Sequence, residues 1–145
     1  MKRGAAFAVA GLLELVLSGC QTVPPSPALP ASCAALAAKA SVQITLMFGL
    51  TTPEHQAIRE QDWQDFLQRD VSSRFPMGLT VLSGEGKWRP DEASPTESEP
   101  SRLVWIVTAD TPDLPVRIGA IRRAYRTRFH QQSVGVSLTR ACSAF

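Results

Sequence analysis

The sequence predicts an α+β fold: a four-stranded antiparallel sheet with two helices packed on one face. Three observations carry this reading. Short runs rich in β-branched residues alternate with two longer stretches whose apolar residues recur at helical spacing. The runs follow the order βαββαβ. The chain is 145 residues, 44% hydrophobic and 19% charged, enough for one ordinary core. That composition excludes a disordered polyelectrolyte and a polytopic membrane protein.

The first strand is expected over 42–49, where Val42, Ile44, Leu46 and Phe48 alternate with Gln43, Thr45 and Met47. A helix is then expected from Thr52, with Thr52 as N-cap, Pro53 at the first helical position and Glu54 in the first turn. It runs to about residue 74, with Trp63, Phe66, Leu67 and Val71 forming a buried stripe. Phe75-Pro76-Met77-Gly78 stops it, and the second strand starts over 79–82. Gly84 and Gly86 interrupt the far end of that strand before Trp88, which suggests a bulge or bend. Residues 89–100 read as a polar, acidic, proline-bearing loop. The third strand, 103–107, is so continuously apolar that it is expected to be central and buried on both faces. The second helix is expected over 113–131, with Leu114, Ile118, Ile121, Tyr125 and Phe129 on one arc. The fourth strand is expected over 134–139. Together these make the ferredoxin-like, or split βαβ, arrangement.

The N-terminus is an address. Lys2 and Arg3 precede a mainly apolar stretch at 5–17, broken only by Glu14. That stretch is shorter than the ~20 residues needed to span a bilayer but fits a secretory signal. It ends in Leu17-Ser18-Gly19-Cys20, which resembles the bacterial lipobox, whose cysteine is acylated and becomes the new N-terminus. Gln21, rather than Asp, follows the lipidated Cys20, and by resemblance to the enteric sorting rule this points to the outer membrane, facing the periplasm. The expected organisation is a lipoprotein signal peptide at 1–19, a lipidated cysteine and proline-rich tether at 20–32, and a ferredoxin-like domain at 33–145. Pro24, Pro25, Pro27 and Pro30 keep the tether extended.

Acylation of Cys20 leaves Cys33 and Cys142 as the remaining thiols, and an oxidising compartment favours a bridge between them. Topology points the same way. In this fold the fourth strand runs antiparallel beside the first, so the end of one adjoins the start of the other.

Several segments stand out as a set: Phe75-Pro76-Met77-Gly78-Leu79-Thr80-Val81, Gly84-Glu85-Gly86-Lys87-Trp88-Arg89 and Glu99-Pro100-Ser101-Arg102-Leu103. Ala124-Tyr125-Arg126 and Phe129-His130-Gln131-Gln132-Ser133-Val134 complete it. Together they are similar to the bacterial domain-of-unknown-function family numbered 3574, which comprises small, mostly signal-bearing envelope proteins. The resemblance implies one domain and an envelope location, and no known chemistry.

Chemistry is sparse. His55 and His130 have no ligand spacing, and no CxxC or HExxH pattern occurs, so no metal or cofactor is implied. Gly84-Glu85-Gly86 follows a strand but opens no helix, which argues against a phosphate cradle. Ser83, Ser101 and Ser133 have no adjacent histidine to activate them. The formal charge of +2 is too balanced for nucleic-acid binding. It is unevenly spread, however. Residues 54–110 hold 6 basic and 11 acidic side chains, whereas 113–140 hold 6 basic and 1 acidic. The second helix thus carries an arginine surface, with Arg122, Arg126 and His130 along one side and Arg117 and Arg128 on the other. This is either a solvated face or a site for an anionic envelope component or protein partner. Trp88, Glu99, Ser101, Tyr125 and Gln132 form a second group, readable as a structural polar network or as a ligand cleft. The buried Tyr125 hydroxyl is expected to find Glu99 or Ser101.

The expected function is therefore a lipid-anchored envelope module for binding or assembly. The alternative is a small-molecule enzyme or sensor resembling the dimeric α/β-barrel oxygenases, with Tyr125, Glu99 and Trp88 in its pocket and a homodimer as its form.

Overall fold

A computed structural model describes residues 30–89 and 91–145. Cys20, the expected signal segment and the expected tether up to residue 29 lie outside the described residues. The elements are α1 (Ala31–Ala35), β1 (Lys39–Gly49), α2 (Glu60–Phe66), β2 (Thr80–Trp88), β3 (Glu97–Thr108), α3 (Leu114–Phe129) and β4 (Gly135–Ser143). The four strands form one antiparallel sheet in the order β2-β3-β1-β4. That is the ferredoxin-like arrangement.

Val42, Ile44, Leu46 and Phe48 of β1 bury their side chains beneath α2 and α3, beside Val104 and Ile106 of β3. Phe48 is the centre of this core. Its ring meets Tyr125, Trp63 and Phe66 at centroid distances of 4.7, 5.3 and 5.6 Å, all edge-on. The expected stripe of α3 is buried in full: Leu114, Ile118, Ile121, Tyr125 and Phe129. His130 ends that helix in the left-handed conformation, at φ 55°, so its place is a C-cap rather than the last turn.

Three expectations are corrected. The first concerns the helices. α1, outside the expected pair, takes in residues 31 and 32 of the expected tether, because the bridge of Cys33 to Cys142 holds that turn against the domain. The helix expected from Thr52 is α2, which starts at Glu60. Thr52 N–H donates to Gln56 O and Ile58 N–H to Leu50 O, folding 51–57 into a tight loop that returns along the end of β1. Burial of Leu50 and Ile58 outweighs the local capping signal. Beyond Phe66 the helix continues as a π-helical segment, Leu67–Ser72. The wider turn brings Val71, five residues after Phe66, back to the core and leaves Asp70 half-exposed.

The second correction concerns the glycines of β2. Gly84 and Gly86 do not break the strand; they pair with Ser101 and Glu99 within a continuous ladder, and β3 reaches back to Glu97 to meet it. The third concerns β3, which is central but buried on one face only. Val104 and Ile106 are enclosed, while Trp105 between them is 41% exposed. Both helices lie on the same side, so nothing in the described residues covers the other.

The expected disulfide is present. Cys33 of α1 is bonded to Cys142 of β4, with Cα atoms 6.0 Å apart across 109 residues of sequence. Among the described residues no helix is long and apolar enough to cross a membrane.

Candidate functional site

Three side chains from two distant segments, β3 and the end of α3, converge on residues 49–51, where β1 ends. The Tyr125 hydroxyl donates to Gly49 O at 2.7 Å. The Gln131 amide donates to Thr51 O at 2.6 Å, and Thr51 N–H donates to Glu99 Oε2 at 3.1 Å. The sheet register explains the approach of Glu99. Gly49 pairs with Ser101, so residue 99 stands beside residue 51, on the face away from the helices. Gly49 has no side chain there, and the Glu99 carboxylate lies where its Cβ would be. Gly84 and Gly86 flank Ser101 from the other side, and a Cβ at Gly84 would touch Ser101 Oγ at 3.4 Å. Three glycines thus form a floor on which Ser101 is buried and Glu99 half-buried.

Burial holds the Glu99 carboxyl above the ordinary carboxylate range, and the nearby Glu97 acts in the same direction. The Thr51 N–H opposes this by favouring the charged form. Burial, reinforced by Glu99, pushes the Tyr125 hydroxyl far upward, so it remains a protonated donor and cannot serve as a base.

A consequence for pH follows. A carboxyl raised in the folded state stabilises the fold most below its unfolded pKa, and that contribution is lost as pH rises through the folded value. Glu99→Gln keeps an acceptor for Thr51 N–H and removes the charge. It is expected to flatten the fall in stability just above the usual carboxylate range, read from urea midpoints at a series of pH values. A wild-type titration of the Glu99 side-chain carbon at or below the ordinary value would contradict it.

The structure unites Glu99, Ser101 and Tyr125 of the expected cluster, though Tyr125 bonds to a backbone carbonyl rather than to either side chain. Trp88 is adjacent, paired with Glu97 one same-face position beyond Glu99. Gln132 is exposed and outside the group, and its neighbour Gln131 occupies that role. Gly49, Thr51 and Gln131 have no signature in a single sequence, because their roles depend on chain segments brought together from afar. A shallow depression of about 420 Å³ at this end of the sheet is lined by Gly84, Glu85, Ser98, Glu99 and Pro100. Glu85, Ser98 and Pro100 alternate onto the helix side, and Gly84 and Glu99 onto the other. A single copy therefore presents a perturbed acid on an open surface.

The arginine surface of α3 divides in two. Arg128 bridges to Asp65 at 2.8 Å, and Arg117 lies over the Phe75 ring and bonds to Arg74 O. Arg122 was expected on the outer side but is half-buried, its Nε donating to Val134 O at 3.0 Å. Its position follows from the loop after α3 folding back beneath it. Arg123 and Arg126 are exposed and make no ion pair among the described residues. With Thr127, His130 and Gln131 they line an open depression of about 390 Å³. Glu54 is near enough for His130 to contribute to lowering its carboxyl, after a larger hydrogen-bond effect from Thr52.

A family model described as "Protein of unknown function (DUF3574)" matches residues 43–145, from β1 through β4. The chain belongs to DUF3574. No curated protein matches it. Among solved structures, this DUF3574 chain resembles a phage SAM lyase in complex with S-methyl-5'-thioadenosine. The TM-score is 0.57 at 14% identity, over 72% of this chain and 90% of the other. A phage SAM lyase in its apo state gives a TM-score of 0.51 at 16% identity, over 71% and 81%. At such identities the likeness is one of fold.

Proposed function

We propose that this DUF3574 chain is a lipid-anchored, periplasm-facing envelope protein whose domain binds an anionic envelope component through the outer face of α3. One observation carries the reading. Arg123 and Arg126 remain exposed beside an open depression, whereas Arg117, Arg122 and Arg128 are engaged in holding the fold. Exposed cations near an anionic surface contribute about 1 kcal/mol each. Reversing two of them is expected to weaken binding by at least about 2 kcal/mol, or roughly thirty-fold.

The test compares Arg123→Glu with Arg126→Glu, together, against the parent in co-flotation with lipopolysaccharide-containing vesicles. Both proteins carry Cys20→Ala, so that acyl chains contribute nothing. Zwitterionic vesicles are expected to bind neither protein, and raised salt is expected to weaken the parent's binding. Equal binding of parent and variant at low ionic strength would overturn the reading.

A second reading, a small-molecule enzyme or sensor, is favoured by Glu99, a half-buried carboxyl that burial raises above the ordinary carboxylate range, on a glycine floor. The fold likeness to a lyase solved with S-methyl-5'-thioadenosine adds support at the level of architecture. Glu99→Gln separates the two readings, because it lies on the opposite side of the sheet from α3 and leaves the anionic site intact.

A further inference from the structure

The face of the sheet away from the helices is unlike an ordinary solvated sheet face. Leu82, Leu103 and Met47 lie side by side across β2, β3 and β1, since Leu82 pairs with Leu103 and Leu103 with Met47. Trp105 is the next same-face residue along β3. Leu82 is 51% exposed and Met47 40%, so this apolar band is open. Antiparallel sheets with one wet face normally alternate apolar with polar residues, and β3 does not. Charge on the face is confined to its two ends. Glu97 and Glu99 stand at one, Lys39 at the other, and no position between them on the four strands is charged.

We propose that a second copy of this chain packs on this face and closes over Glu99 and Ser101. Three features select that occupant. The first is area. Four strands at ~4.8 Å spacing and about nine residues at ~3.3 Å give a flat face of roughly 570 Å². Side-chain relief carries that towards the ~800 Å² per partner of a stable interface. The second is charge. A twofold axis lying across the strands sets the acidic end of each copy against the lysine end of the other, a self-complementary contact. The third is access. The bridge to Cys33 leaves β4 at Cys142, which pairs with Ala40 and so shares the helix-side face with Val42. Among the described residues, α1 and its bridge therefore sit on the helix side and leave the opposite face clear.

The pairing stands on the face itself, its area, charge and access, whereas closure over Glu99 rests on the second functional reading. A shallow, open acid on one copy becomes an enclosed one between two, which is what small-molecule chemistry requires.

The test is sedimentation of the full chain in detergent, with a mass of two protein copies expected. Trp105→Arg places an unpaired charge at the centre of the band and is expected to weaken self-association at least thirty-fold, as for a central aromatic anchor. Leu82→Lys, on the edge strand, gives the same outcome should Trp105→Arg fail to fold. Val116→Arg, exposed on α3, is expected to change nothing. A benzoylphenylalanine at position 82 is expected to crosslink to a second copy. A monomer throughout the micromolar range, self-association indifferent to both variants, or crosslinks to lipid or another protein would each overturn the pairing. Should a dimer form while Glu99 titrates identically in it and in the Trp105→Arg monomer, the closure over Glu99 fails and the interface stands.

Discussion

Replacing Cys33 and Cys142 together by serine is expected to destabilise the domain by about 4–5 kcal/mol. The bridge closes a span of 109 residues, and chain-entropy bookkeeping gives ~4.7 kcal/mol for a loop of that size. With a urea dependence of about 1–3 kcal/mol/M, the unfolding midpoint should fall by roughly 1.5–4.5 M. The effect has a local component as well. α1 is five residues long, too short to persist by itself, and Cys33 is its one buried residue. Opening the bridge is expected to release α1 before the sheet melts, so limited proteolysis should cut near residues 31–38 in the serine variant and spare them in the parent. Equal midpoints for the two proteins under oxidising conditions would show that the bridge contributes nothing.

Cys20→Ala is expected to abolish anchoring outright. One acyl chain gives only marginal membrane binding, about 10⁴ M⁻¹, whereas two or more give stable anchoring. Loss of the acceptor cysteine removes them all. The variant should take up no fatty-acid analogue in metabolic labelling and should leave the detergent-soluble membrane fraction. Labelling equal to that of the parent would end the lipoprotein reading. The disulfide matters here too. On the lipoprotein reading, the bridge from Cys33 to β4 shares any pull from the anchor between two strands rather than β1 alone.

The chain order βαββαβ, the buried stripe of α3 and the partnership of Cys33 with Cys142 were all legible in the sequence. Periodicity within a helix or strand is a local property, visible within a few residues of each position. The disulfide was reachable because counting cysteines left one pair and the strand order placed both at one end of the sheet. Other features depended on distant contacts. The start of α2 at Glu60 follows from Leu50 and Ile58 being buried together against the sheet, which outweighed a sound capping signal at Thr52. Arg122 resembled any other outward arginine until Val134 O came within 3.0 Å of it. The polar hub at 49–51 is joined by bonds spanning 48, 76 and 80 residues, and no spacing rule reaches so far. By itself the sequence determined which residues are apolar, where they recur and hence the layers of the fold. Only the tertiary structure decided which polar groups are left to act, because a hydrogen bond or an ion pair is assigned by the segments that folding brings within about 3 Å.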